Sequence, residues 1–261
     1  MENELSFFEQ LGLAFKSYGK AMSLLFKGGL WLYIIYPIII SLLLFVAEFY
    51  FLNQLFSSYE SQIIKYFSSN DYPRWMHLLS GTLQYFLLIG LQVIFFLFFY
   101  FLGKYIVLIL MSPIMAILSE KTETLLTGKK YPFSTKQFFR DILRGMGIAL
   151  RNMFFQIVIL SASCIIIWIP VIGLLCPIFL LIISYYFYGF SMLDYMSERR
   201  KLSVSESIAF VRKNKGIAIG NGFIFTLLFA IPYIGIVLST ILSPIAACVS
   251  VLEKENKLKN S

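Results

Sequence analysis

Lys27-Gly28-Gly29-Leu30 brings a cation together with a backbone open to close approach. Two consecutive glycines expose main-chain amides, and a helix starting just after them directs its positive end at the same point. Helix N-termini hold oxyanions for that reason. A plain hinge, where the chain turns into an apolar segment, needs the same residues. A second set is charged: Glu120, Lys121, Glu123, Arg140, Asp141, Arg144 and Asp194. Lys136, Arg140 and Arg144 are spaced by four and so stack on one helical face. Glu120 and Glu123 are suited to pair with Arg140 or Arg144, as an ion-pair knot or as the lining of a polar path. The third set is a repeated phrase, Ile169-Pro170-Val171-Ile172-Gly173 and Ile231-Pro232-Tyr233-Ile234-Gly235. Proline removes a backbone donor and clashes with the preceding turn. Pro170, Gly173, Pro232 and Gly235 therefore read as breaks at which two apolar helices reverse.

Catalytic chemistry finds little support. His77 is the single histidine, and no Gly-rich phosphate loop, HExxH or paired intramembrane carboxylate is present. Cys164, Cys176 and Cys248 lie in apolar stretches and suggest neither a disulfide framework nor a metal site. No enzyme, metal or cofactor is expected.

The elements that must position these residues are apolar helices. Of 261 residues 59% are hydrophobic and 14% charged, against about 25% charged in soluble domains. The chain is an integral membrane protein on that ground, and a single membrane domain over 1–261. Residues 1–29 hold an amphipathic helix whose stripe is Phe8, Leu11, Phe15, Tyr18, Met22 and Leu25, suited to the membrane interface. Residues 30–111 hold two long spans, Trp31–Phe56 and Leu78–Met111, with Lys104 marking an emerging end and Pro113 bending the chain afterwards. A cytoplasmic helical segment (112–152), opened by Ser134 and Gln137 at capping-box spacing, leads to a first hairpin (153–193). A second cytoplasmic segment (194–216), with the same capping signature at Ser203 and Glu206, leads to a second hairpin (217–251) and a basic tail (252–261). The rising arms of about 15–17 residues are short for a crossing of ~30 Å. The fold class is therefore all-α and polytopic, with hemi-penetrating hairpins or, alternatively, short transmembrane pairs.

Charge sets the orientation. Of the 22 Lys and Arg, 19 lie before Trp31, in 121–151, in 199–215 or after Val251. The positive-inside rule puts all four of these segments, and both termini, in the cytoplasm. The net charge of +8 then reflects anionic lipid at the inner face rather than nucleic acid.

In order and spacing these motifs resemble the CysZ family of bacterial inner-membrane sulfate permeases, related to the etoposide-induced membrane protein family. The likeness rests on Pro37-Ile38-Ile39-Ile40-Ser41, Ser112-Pro113 through Leu118-Ser119-Glu120-Lys121-Thr122-Glu123, Arg140-Asp141-Ile142-Leu143-Arg144, Ile169 to Gly173, and Leu193-Asp194-Tyr195. The resemblance implies two long spanning helices, two hemi-penetrating hairpins, a homo-oligomer in the bilayer, and passage of sulfate or a similar inorganic anion for cysteine synthesis. The family's Pro-Gly-Leu-Arg anion motif reads Gly28-Gly29-Leu30-Trp31 here, so Trp31 stands where a guanidinium would be. A non-transporting membrane scaffold or envelope-remodelling protein of the same fold is the alternative.

Overall fold

The computed structural model describes residues 5–68, 74–129, 135–166, 169, 172–231 and 234–259, and all regular structure among them is helical. In chain order these are α1 (Phe7–Lys27), a 3-10 turn (Leu30–Ile34), α2 (Ile35–Ser68), α3 (Arg74–Thr127), α4 (Thr135–Ile166), α5 (Ile172–Arg199), α6 (Val204–Lys213), α7 (Lys215–Phe229) and α8 (Gly235–Lys259). Ser134, Pro170 and Pro232 lie outside the described residues. Among the described residues four stretches are long and apolar enough to cross a membrane, Lys104–Thr127, Leu143–Ser163, Leu175–Arg199 and Gly235–Lys259, and the bent pair Phe7–Lys27 with Leu30–Leu44 would make a fifth. The chain forms two compact units, Met1–Ile39 with Val107–Ser261, and Ile40–Ile106.

The smaller unit carries most of α2 and the first part of α3, and it turns apolar side chains outward. Leu42, Val46, Tyr50, Tyr85, Phe86 and Ile89 are 59–74% exposed. Surface of this kind belongs in a bilayer or under another protein. Lys104, expected at an emerging helix end, is instead buried.

In the larger unit α8 is the central helix. Ser239 to Val251 is buried without interruption, as befits a helix packed on all sides. Its hydroxyls satisfy themselves locally: Thr240 and Ser250 donate to the carbonyls of Ile236 and Ala246, each at 2.7 Å. α1 packs on α7 and α8. Its buried face is small and polar, comprising Gln10, Leu13, Ala14, Ser17, Ala21 and Leu25. Phe8, Phe15 and Met22 of the expected stripe point outward, at 78%, 42% and 41% exposure. The small residues decide the packing because they let backbones approach. A methyl added at Gly220 would meet the Ala14 Cβ at 2.7 Å. The same device sets α5 against α7, where a Cβ on Gly189 or Gly222 would fall 1.8 Å from the carbonyl oxygen of Ala218 or Tyr185.

Hydrogen bonds give the pairing of the hairpin arms. Asn152 donates to Phe187 O (3.2 Å), Gln156 to Ser184 Oγ (2.8 Å), and Cys176 Sγ lies 4.0 Å from Ser163 O. The paired numbers converge on Ile169, so α4 and α5 run antiparallel about the first repeat. Lys254 with Asn214 and Tyr18 with both Asn221 and Ser243 tie α7 to α8 in the same sense about the second repeat. A Cβ on Gly235 would lie 2.6 Å from the Leu228 and Phe229 carbonyl oxygens, so only glycine fits beside that turn. α4 runs unbroken from Thr135 to Ile166, so the first arm and the basic helix before it are one rod. α3 likewise continues through Pro113 to Thr127. Tyr36 donates to Leu110 O at 2.9 Å, in the turn preceding Pro113 where proline weakens the ladder.

Candidate functional site

Three helix ends, of α3, α5 and α8, meet around charged side chains. Glu123, four residues from the end of α3, receives the Arg199 Nε–H at 2.8 Å; the two side chains are 4% and 6% exposed. Arg199 also donates to its own turn at Tyr195 O, 3.0 Å away, and reaches Cys248 Sγ at 4.0 Å. A guanidinium placed against a buried carboxylate, a carbonyl and a thiol on three helices is fixed in orientation. Beside it Arg200 makes a fork with Glu255 at 2.7 and 3.0 Å and lies 5.4 Å from the Phe210 ring centroid. Burial pulls the Arg200 pKa down, but its hydrogen bonds and the field of Glu255 leave it above the ordinary value.

These pairs wall a cavity of about 570 Å³ that also takes in Lys129 and Lys259. The wall thus holds four cations, Lys129, Arg199, Arg200 and Lys259, against two carboxylates, Glu123 and Glu255. The carboxylates are spent on the arginines, and both lysines are exposed. A second cavity of about 330 Å³, beside the Lys20–Glu253 ion pair, shares Thr127, Leu252 and Asn256 with the first. Net positive, partly apolar and open, the larger cavity is suited to a small anion.

A second network fastens α4 to α5 and α6. Arg144 lies 3.3 Å from Asp194 Oδ1, donates to Ser207 Oγ at 2.6 Å, and donates to Leu202 O. The sequence-expected charges are thus divided. Glu123 pairs with Arg199, and Arg144 with Asp194, so Glu123 is not the partner of Arg144. Lys121 and Arg140 are exposed, and Glu120 is half-buried. The Asp141 side chain lies outside the described residues. Arg199, Arg200, Glu255, Lys129 and Lys259 were not singled out as site residues. For Arg199 and Arg200 the signal is the Glu198-Arg199-Arg200-Lys201 run, which bears in sequence on orientation.

The glycine turn is also built differently from a free amide cradle. Lys27 ends α1 and is exposed, and the Gly28 N–H is already given to Leu24 O at 2.8 Å. A Cβ on Gly28 would lie 2.9 Å from Leu125 of α3. Gly29 takes φ +72°, the left-handed conformation that glycine adopts without strain. Leu30 is buried and opens the 3-10 turn, while Trp31 is 51% exposed. The chain bends by 102° here, so the hinge is real whatever the amides hold. Of the break residues, Gly173 lies in the first turn of α5 and Gly235 opens α8.

Apolar crossing-length helices around a buried polar core define an α-helical, multi-pass membrane protein. Residues 17–239 match the family model described as EI24: Sulfate transporter CysZ/Etoposide-induced protein 2.4, and the chain belongs to that family. It is similar to proteins named sulfate transporter CysZ. That of Pseudomonas paraeruginosa is 25% identical over 227 residues, covering 84% of this chain and 87% of the relative. That of Pseudomonas fluorescens is 26% identical over 221 residues, covering 84% and 85%.

Proposed function

We propose that this protein carries a small inorganic oxyanion, sulfate above all, across a bacterial inner membrane, with no ATP hydrolysis of its own. The observation that carries the reading is the cavity at the ends of α3, α5 and α8, with two paired arginines behind two exposed lysines. Family membership names the anion class, since the relatives are called sulfate transporters. In this reading Lys129 and Lys259 attract the anion, and Arg199 and Arg200 hold the wall. Lys27 and the amides of Gly29 and Leu30 supply a further contact at the α1 hinge. The hairpins α4–α5 and α7–α8 dip into the bilayer from the cytoplasmic side, where both termini lie. α1 lies along the interface with Phe8, Phe15 and Met22 in lipid. Homo-oligomerisation covers the broken backbone at the two repeats, because lipid-exposed irregular backbone is not viable at membrane depth. At 15 residues α7 is about 22 Å long, short of a ~30 Å hydrocarbon core.

The test is radiolabelled sulfate uptake into proteoliposomes. Uptake should exceed that of empty vesicles and fall roughly tenfold in K129Q/K259Q, since wall charges govern anion capture. Uptake equal to empty vesicles removes the transport reading. It would leave the scaffold alternative, which the exposed Trp31 and the occupied Gly28 amide favour.

A further inference from the structure

Arg151 of α4 and Tyr186 of α5 flank one ring, Phe190, whose centroid lies 6.2 Å from that of Tyr186, and Arg212 comes from α6. The Arg151 guanidinium carbon lies 5.1 Å from the Phe155 ring centroid and 5.6 Å from that of Phe190. Arg151 and Arg212 both act electrostatically on the half-buried Tyr186 hydroxyl. Among the described residues neither arginine forms an ion pair. Arg151 donates at 3.4 Å to Asn152 Oδ1, and Asp194, whose field it feels, is engaged by Arg144. Two guanidinium groups with no carboxylate partner among the described residues, both acting on one phenol, make a donor set for a phosphate group.

The surroundings say which phosphate. Phe155 and Val158 follow Arg151 on α4 at +4 and +7, while Ile182, Phe179 and Leu175 precede Tyr186 on α5 at −4, −7 and −11. Each spacing keeps one helical face. All five side chains are 40–62% exposed. Because α4 and α5 are antiparallel, both stripes run from the arginines toward the hairpin tip. Eleven residues of helix cover about 16 Å, roughly one leaflet of hydrocarbon. A free oxyanion would use the arginines and gain nothing from the stripes, whereas a lipid uses both. We infer that Arg151, Tyr186 and Arg212 hold the headgroup of an anionic phospholipid whose acyl chains lie along α4 and α5. The site is separate from the anion cavity, so its failure leaves the transport reading untouched.

Purified full-length protein in nonionic detergent, titrated with phosphatidylglycerol, provides the test, read by native mass spectrometry and thermal unfolding. Bound lipid and a raised Tm are expected. R151Q/R212Q should bind about 30-fold more weakly, at the usual contribution of two cations to anionic lipid. K16Q/K201Q, which removes two exposed cations elsewhere, should bind as wild type does. Equal binding of phosphatidylcholine, an equal Tm rise with inorganic phosphate or sulfate, or unchanged affinity in R151Q/R212Q overturns the proposal. If that variant does not fold, R212Q alone decides: its side chain is exposed, and undiminished phosphatidylglycerol affinity there is equally fatal.

Discussion

Glu123 and Arg199 are charges that water no longer serves, so each depends on the other. Desolvation makes such a pair a modest net gain, yet removing one partner strands the other and costs about 3–5 kcal/mol. E123Q should therefore lower stability by that order, measured by thermal unfolding in detergent. The double variant E123Q/R199M should recover part of the loss, since no guanidinium is then left buried. Additive losses would mean the two side chains are not coupled. At this scale the sequence was partly legible. The Ser-Glu-Lys-Thr-Glu motif singled out Glu123, the spacing of charges singled out Arg144, and the family resemblance singled out Asp194. Their partners were not readable, because pairing across α3, α5 and α8 depends on the register of packed helices. Arg199 lies 76 residues from Glu123, and Arg200 lies 55 from Glu255.

Helix contacts in this molecule are set by what is missing from side chains. α5 and α7 touch backbone to backbone at Gly189 and Gly222, and a methyl at either would sit 1.8 Å from a carbonyl oxygen. G222A should force the two helices apart and cost about 1–3 kcal/mol or more. G12A, where nothing lies within 4 Å, should be neutral or stabilising by up to about 1 kcal/mol. Thermal unfolding of the two variants side by side checks this, and equal effects would deny the close packing its role. The same logic explains the reading of α1. Its period is legible and its helix is present, and Phe8, Phe15 and Met22 of the stripe expected in the membrane interface lie off the face that packs on protein. In the folded chain Ala14, Ser17 and Ala21 mark it, and aromatic residues face out. Hydropathy periodicity finds a stripe without telling lipid from protein, both of which are apolar. The capping box at Ser203 and Glu206 was legible because it is local, with its two bonds at 3.3 and 2.7 Å. The box at Ser6 and Glu9, which opens α1, is equally local.

Across the whole molecule, the depth of the two hairpins decides the path an anion can take. Arg140 and Arg212 are exposed at the basic ends of their hairpins, and Ile169 and Ile231 at the tips. The proposed orientation puts both arginines in the cytoplasm whether the hairpins cross or turn back, so those positions alone do not separate the two architectures. The tips do. Two crossing pairs would bring Ile169 and Ile231 to the outer surface, whereas re-entrant hairpins keep them within the bilayer. In membrane vesicles, R140C and R212C should react with an impermeant maleimide only when the cytoplasmic face is outward. In a C164S background, I169C and I231C should resist the reagent from the outer face, with native Cys176 and Cys248 silent because both are buried. Labelling of the tips from outside would turn both hairpins into transmembrane pairs. The anion would then have a full-length protein path rather than one completed by neighbouring copies. Labelling of Arg140 and Arg212 from opposite faces would break the topology altogether, and with it the shared aqueous side on which the cavity of α3, α5 and α8 must open.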